Sequence, residues 1–211
     1  MQVVKRLTSL DPAAIDGLAK LLASCFDLDD ELYAALFGDA PDPLPLITLY
    51  FRSRGYESVR DDEVYVVEAA GLIVAAAIVV PPGPRRQREA TPYSDELKRE
   101  TPPDVTEKQK IFHEVVDELE SEAFGDDTYY LSFLGVAPWA RGKGLAGALL
   151  KHVVDRARAD GRLVTVTTTT EGNIPMYEKF GFTGIQSAEV TLGRSRLDIW
   201  AMDNAASEGH L

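Results

Sequence analysis

The sequence predicts an α/β (α+β) fold: a mixed, mostly antiparallel central sheet of about seven strands flanked by helices, with a helical insertion before the fourth strand. Three observations carry this expectation. Residues 64–68 and 72–80 are β-branched apolar runs joined by a short turn at Gly71, the pattern of a hairpin. Residues 128–136 form an aromatic and aliphatic run without charge, expected to be a central strand covered on both faces and the most buried of the sheet. A helical stretch from about 142 to 159 then separates that run from a further strand at 163–170.

The other elements follow in chain order. Residues 2–7 alternate as a first strand, and Asp11-Pro12 should cap and open a helix, the acid accepting an orphan amide and proline suiting the first turn. Leu18, Leu21 and Leu22 fall on its inner face. Further helices are expected at 31–37 and, after a proline-broken stretch, from 46 to about 54. The segment 81–103 is rich in proline and charge, with Arg85, Arg86 and Arg88 clustered, and reads as a mobile surface loop. From 104 to 124, Ile111, Phe112, Val115, Val116 and Leu119 recur at helical spacing among many carboxylates, so the insertion is an amphipathic helix whose acids form its solvated face. Asp160-Gly161 closes the long helix with a left-handed glycine, 173–180 makes a short helix, and 182–190 with 196–202 form a last hairpin around Gly193. No repeat or linker divides the chain, so one domain is expected over 1–204, with a frayed tail at 205–211.

Composition bounds the partners. The chain has 211 residues and a formal charge of −12, which disfavours a nucleic-acid binder and favours cationic partners. The single cysteine, Cys25, allows no internal disulfide and suits a reducing cytoplasm. The longest apolar stretch, 69–80, is closed by prolines and is shorter than the roughly 20 residues that span a bilayer, so no membrane partner is expected.

The chemistry-bearing segment is the turn from Leu134 to Gly147, where glycines lead a strand into a helix. Without a Cβ, they let a diphosphate approach amides at a helix start, where the macrodipole adds a positive end. Arg141 and Lys143 add side-chain charge there. Three readings compete. Glycines at such turns often serve packing alone. Gly142, Gly144 and Gly147 formally spell a dinucleotide fingerprint, with Glu171 ending the next strand; against this, residues 137–141 intervene after the strand and the preceding strands form hairpins. The third reading is coenzyme A.

Here the sequence resembles a known family. Arg141-Gly142-Lys143-Gly144-Leu145-Ala146 matches the pyrophosphate-binding motif of the GCN5-related N-acetyltransferases (GNAT), with Val136-Ala137-Pro138 just before it. Asn173-Ile174-Pro175-Met176-Tyr177-Glu178-Lys179-Phe180-Gly181-Phe182 is similar to a second segment of that family, in the expected place. The phrases Tyr129-Tyr130-Leu131 and Asn173 to Tyr177 most resemble puromycin-type small-molecule acetyltransferases.

The resemblance implies acetyl-CoA as cosubstrate, no metal, and acetyl transfer to a primary amine of a small molecule by direct attack in a ternary complex. Acetylation of a protein lysine or N-terminus, or a non-catalytic acyl-CoA sensor, are the alternatives. It also implies a bulged fourth strand that splays from the fifth, with Leu134 and Val136 meeting the pantetheine arm and the Val136 amide binding the thioester oxygen. Arg141, Gly142, Lys143, Gly144, Leu145 and Ala146 would hold the diphosphate. Tyr177 would protonate the departing thiolate, and Asn173 would contact the pantetheine or cap the short helix. The family often forms homodimers.

An amine of pKa ~10.4 costs about 4.6 kcal/mol to deprotonate at pH 7, so a base or an apolar site is required. The fourth strand carries no carboxylate, and Asp126, Asp127, His113 and Glu171 remain as candidates, His113 reading first as a structural histidine beside Glu114 and Asp117. The threonines Thr165 and Thr167 to Thr170 read as the β-branched faces of one strand, Cys25 as a small buried hydrophobe, and Trp139 and Trp200 as packing or stacking residues.

Overall fold

A computed structural model describes residues 3–83, 89–125 and 127–205. The Arg85, Arg86 and Arg88 cluster, Asp126 and the tail from 206 onward lie outside the described residues. One seven-stranded sheet runs in the order β1-β2-β3-β4-β5-β7-β6. Its strands are β1 (Lys5–Arg6), β2 (Glu63–Ala69), β3 (Leu72–Val80), β4 (Tyr129–Val136), β5 (Val164–Thr168), β6 (Gly184–Leu192) and β7 (Ser195–Asp203). All neighbours pair antiparallel except β4 and β5, which are parallel. That topology is the expected mixed sheet, and it leaves no run of parallel crossovers for a dinucleotide fold.

The helices are α1 (Pro12–Cys25), α2 (Glu31–Phe37), α3 (Pro43–Asp61), α4 (Ser94–Glu100), α5 (Pro103–Ala123), α6 (Leu145–Ala159) and α7 (Ile174–Glu178). Gly135 of β4 turns toward the end of α1, where an added Cβ would sit 3.0 Å from the Cys25 sulfur. Tyr65 faces the other way: its register partner Ala77 pairs with Leu134, and its ring meets His152 of α6 at 4.5 Å. So α1 and α6 cover opposite faces, and Leu149, Leu150 and Val153 of α6 are buried against the sheet.

Several expectations are corrected. The first strand is only two residues long. The Asp11 carboxylate does not cap α1; it accepts from the Ser9 hydroxyl at 2.6 Å. The segment 81–103 holds a helix, α4, anchored by hydroxyls: Thr91 bonds Ser53 at 2.9 Å and its amide donates to Ser94 at 2.8 Å. The long helix starts at Leu145 rather than Gly142, because Gly142 and Gly144 are left-handed, with φ of 76° and 74°. The most buried strand is β3, with six consecutive buried residues from Val74 to Val79, and not β4, five of whose eight residues are only partly buried.

Candidate active site

The site begins at an irregularity in β4. Its register with β3 shifts between Ile78, opposite Phe133, and Val79, opposite Leu131, which leaves Ser132 as the extra residue of a bulge. Beyond it, the Ala137 amide donates to the Val74 carbonyl at 2.9 Å, with Val136 facing Ala75 and Gly135 facing Ala76. Antiparallel hydrogen bonding alternates, so the amides of Phe133 and Gly135 point at β3, and those of Leu134 and Val136 at the opposite edge. On that edge β5 pairs only with Tyr129, Tyr130 and Leu131. Leu134 and Val136 therefore border an open wedge between two strands that have parted.

The Val136 peptide has neighbours of its own. Its carbonyl accepts from Arg141 Nε at 3.3 Å, and its amide lies within hydrogen-bond reach of the Cys25 thiol. Burial pushes that thiol up to about 11, against weaker pulls from Ser24, Arg141 and the Val136 amide.

After β4 a 3₁₀ turn, Pro138–Ala140, leads into the glycine segment. The first helical bond of α6 runs from the Ala148 amide to the Gly144 carbonyl at 3.0 Å. The amides of Leu145, Ala146 and Gly147 thus precede the ladder, and no side chain caps them. An added Cβ at Gly142 or Gly144 would meet nothing within 4 Å, so the concavity before these amides is open. Arg141, Gly142, Lys143 and Gly144 are exposed there, while the Leu145 side chain is buried and offers only its backbone. Lys143 Nζ stands 6.0 Å from the exposed Trp139 ring.

On the α1 face the wedge opens into a cavity of about 1100 Å³. Its wall is aromatic, including Phe26, Tyr33 and Phe133, and it carries the carboxylates Asp30, Glu57, Asp117 and Glu120. Leu134, Asn173 and Tyr177 line this space, whereas Val136 and residues 141–146 lie outside its lining, past the end of β4. Tyr177 is 6% exposed, packs edge-on to Phe182 at 5.6 Å, and burial alone raises its hydroxyl to about 12. Asn173 does not cap α7; its amide nitrogen reaches Thr168 Oγ1 at 3.5 Å.

Of the candidate bases, Asp127 is exposed and ion-paired with Arg162, Glu171 is exposed outside the cavity lining, and His113 is exposed at the cavity wall. The carboxylates of α5 are not all solvated: Glu120 is 8% exposed and faces the cavity. The threonines are likewise more than a strand surface, since Thr165 and Thr167 to Thr170 all line the cavity and Thr167 donates to Glu120 at 3.0 Å. The position of Glu120 on its helix was legible in principle. Phe112, Val116 and Glu120 recur every four residues, which sets the acid on the apolar stripe of its helix.

A bulged strand, parted neighbours and an uncapped glycine-led helix make up this site, and the family model of the acetyltransferase (GNAT) family, a class of acyltransferases, matches residues 22–182. The chain belongs to that family. Among solved structures, it is similar to a polyamine N-acetyltransferase of Drosophila melanogaster that forms N-acetylagmatine, with 18% identity, a TM-score of 0.62 and coverage of 96% of this chain and 99% of that one. An agmatine N-acetyltransferase variant in its apo form matches at 18% identity and a TM-score of 0.61, over 95% and 97% of the two chains. A Corynebacterium glutamicum protein described as histone acetyltransferase HPA2 and related acetyltransferase matches at 16% and 0.62, over the full length of both. These likenesses establish the fold. Among the described residues, no helix is long and apolar enough to cross a membrane, and no group of three or more His, Cys, Asp or Glu could hold a metal.

Proposed function

We propose that the chain moves an acetyl group from acetyl-CoA to a primary amine of a small molecule, by direct attack in a ternary complex. The observation that carries this is the shared edge of β4: Leu134 and Val136 border the wedge, the uncapped amides of α6 lie just beyond its end, and the aromatic, acidic cavity opens beside it. The residues fit the carrier. The open concavity before Leu145 and Ala146, led by Gly142 and Gly144, suits a diphosphate, with Arg141 and Lys143 adding positive charge. Leu134 would hold the pantetheine arm as an added strand holds its neighbour. When bound, acetyl-CoA supplies an activated thioester.

The chain's own groups then have distinct tasks. The Val136 amide stabilises charge developing on the thioester oxygen; one such donor is worth about 3 kcal/mol of barrier. The Tyr177 hydroxyl, kept protonated by burial, gives its proton to the departing sulfur and regains one from water. Asn173, tied to Thr168, lines the approach. The aromatic wall and its carboxylates suit an amine that is cationic in solution and apolar in part. The polyamine and agmatine enzymes with this fold act on such amines, and the puromycin-type likeness of Tyr129-Tyr130-Leu131 fits an aromatic acceptor.

Free-thiol release from acetyl-CoA, screened with agmatine, phenethylamine and a lysine peptide, tests the reading. Amine-dependent release with either small amine is expected, and Gly144→Glu should weaken acetyl-CoA binding at least tenfold, about 1.4 kcal/mol. No acetyl-CoA binding, with NAD bound at micromolar levels, would replace it with nucleotide binding.

A further inference from the structure

The point where β4 and β5 part has a buried carboxylate at its base. Leu131 and Val166 form the last register pair of the two strands, and Tyr130 and Thr167 stand on either side of that junction. Glu120 of α5 reaches both. Thr167 Oγ1 donates to its Oε1 at 3.0 Å, and the Tyr130 phenol stands close enough to feel its charge. Burial first, and the charge of Glu120 next, push the Tyr130 phenol well above its ordinary range, so the phenol remains protonated beside the carboxylate. All three side chains line the cavity that opens on the wedge. The Thr167 hydroxyl, with the Tyr130 phenol beside it, thus holds one acid where an amine in the cavity would meet a thioester in the wedge.

Resting on the transferase reading, we propose that Glu120 is the catalytic residue that binds the acceptor's ammonium group and takes its proton, with Thr167 and Tyr130 as positioning residues. The ammonium N–H bond breaks and its proton passes to a Glu120 oxygen, leaving the nitrogen lone pair free. Glu120 returns that proton to water. The nitrogen then forms a bond to the thioester carbonyl carbon as the carbon–sulfur bond breaks. The remaining excess proton on nitrogen goes to the carboxylate, the sulfur takes one from Tyr177, and the proton held by the carboxylate passes through water to restore the tyrosine. The sum is one amide, one thiol and one released proton.

Other titratable groups face this space. Asp117 and His113 share the helix of Glu120, and Tyr130 approaches from β4. From α3, Arg54 is paired with Glu57 at 3.3 Å and reaches Ser132 at 3.4 Å. Asp30 is engaged as the cap of α2, accepting from the amides of Leu32 at 3.0 Å and Tyr33 at 3.1 Å. Glu120, by contrast, is bound by a strand side chain at the fork itself.

The test compares wild type with Glu120→Gln, Glu120→Asp and Thr167→Val, using agmatine and phenethylamine. In Glu120→Gln, kcat/KM at pH 7 should fall about 10² to 10⁴-fold. Its rate should then rise about tenfold per pH unit with the free amine, acetyl-CoA affinity staying within about twofold. Amine affinity for the desulfo-CoA complex should drop at least about tenfold, a loss of about 1.4 kcal/mol. Glu120→Asp should recover part of the rate, and Thr167→Val should lower kcat and shift the pH profile. Unchanged kcat/KM and pH profile in Glu120→Gln would overturn the proposal; should that variant fail to fold, the same result in Thr167→Val would overturn it. A wild type that releases no thiol, yet binds amine more tightly than Glu120→Gln, would end the transferase reading and leave amine recognition by Glu120 standing. Equal amine affinity would end both.

Discussion

Tyr177 presents its hydroxyl to the cavity while only 6% of the residue is exposed, and burial raises its pKa to about 12 against about 10 in the unfolded chain. The sign follows directly: the folded state holds the proton more tightly, so this group's stabilising contribution is full below about pH 10 and is lost as pH rises toward 12. Across the neutral range the hydroxyl is a donor. Tyr177→Phe should therefore lower kcat about 10² to 10⁴-fold with acetyl-CoA affinity nearly unchanged, as checked by steady-state kinetics beside calorimetric titration. Cys25 gives a second residue-scale expectation. Its thiol is raised from 9.0 to about 11, so its thiolate fraction at pH 8 is about 100-fold below that of an ordinary thiol, and alkylation by iodoacetamide should slow in proportion. Gly135 is set by the same cysteine: a Cβ there would lie 3.0 Å from the sulfur and 3.3 Å from its Cβ. Gly135→Ala should cost about 1 to 3 kcal/mol in denaturant unfolding.

At the scale of elements, the long helix α6 serves the site through its N-terminus and the core through its inner face. Leu149 is fully buried, and Leu149→Ala should destabilise the fold by about 2 to 5 kcal/mol in urea melts. The start of α6 is also held sideways, since a Cβ on Gly147 would sit 3.3 Å from the Phe180 ring in the turn after α7. The glycine turn and its uncapped helix start were legible because φ-permissive residues are a local property. Hairpins were legible from β-branched runs bounded by turns. For the acidic helix α5 only half of the answer is local. The four-residue spacing places Glu120 on the inner stripe, but that this stripe meets a cavity depends on β4 and β5, which are distant in sequence. The bulge at Ser132 has the same character: it exists only in the register between β3 and β4. The order of α4 was hidden by the prolines that flank it and by its charges, because its anchors are hydroxyls of Ser53 and Thr91, 38 residues apart.

The whole molecule carries a formal charge of −12, and four of its carboxylates line the cavity proposed to receive the amine. Screening shortens the reach of that field from about 30 Å at 0.01 M salt to about 3 Å at 1 M. The kcat/KM for a cationic amine should fall several-fold over this range while kcat at saturation changes little, and stopped assays at graded ionic strength would measure it. The sheet sets both approaches at once. Splitting β4 from β5 opens the wedge toward the glycine-led helix on one side and the acidic cavity on the other, so in the proposed reaction carrier and acceptor would enter from different directions and meet at the fork.

Rapid quenching of a single turnover with acetyl-CoA and agmatine, followed by intact-mass analysis of the protein and quantification of thiol and N-acetylated amine, tests this most directly. Equal amounts of thiol and acetylated amine, with the protein mass unchanged at every time point, are the predicted result. An acetyl group transiently carried by the protein, or thiol released without acetylated amine, would contradict direct transfer at the fork.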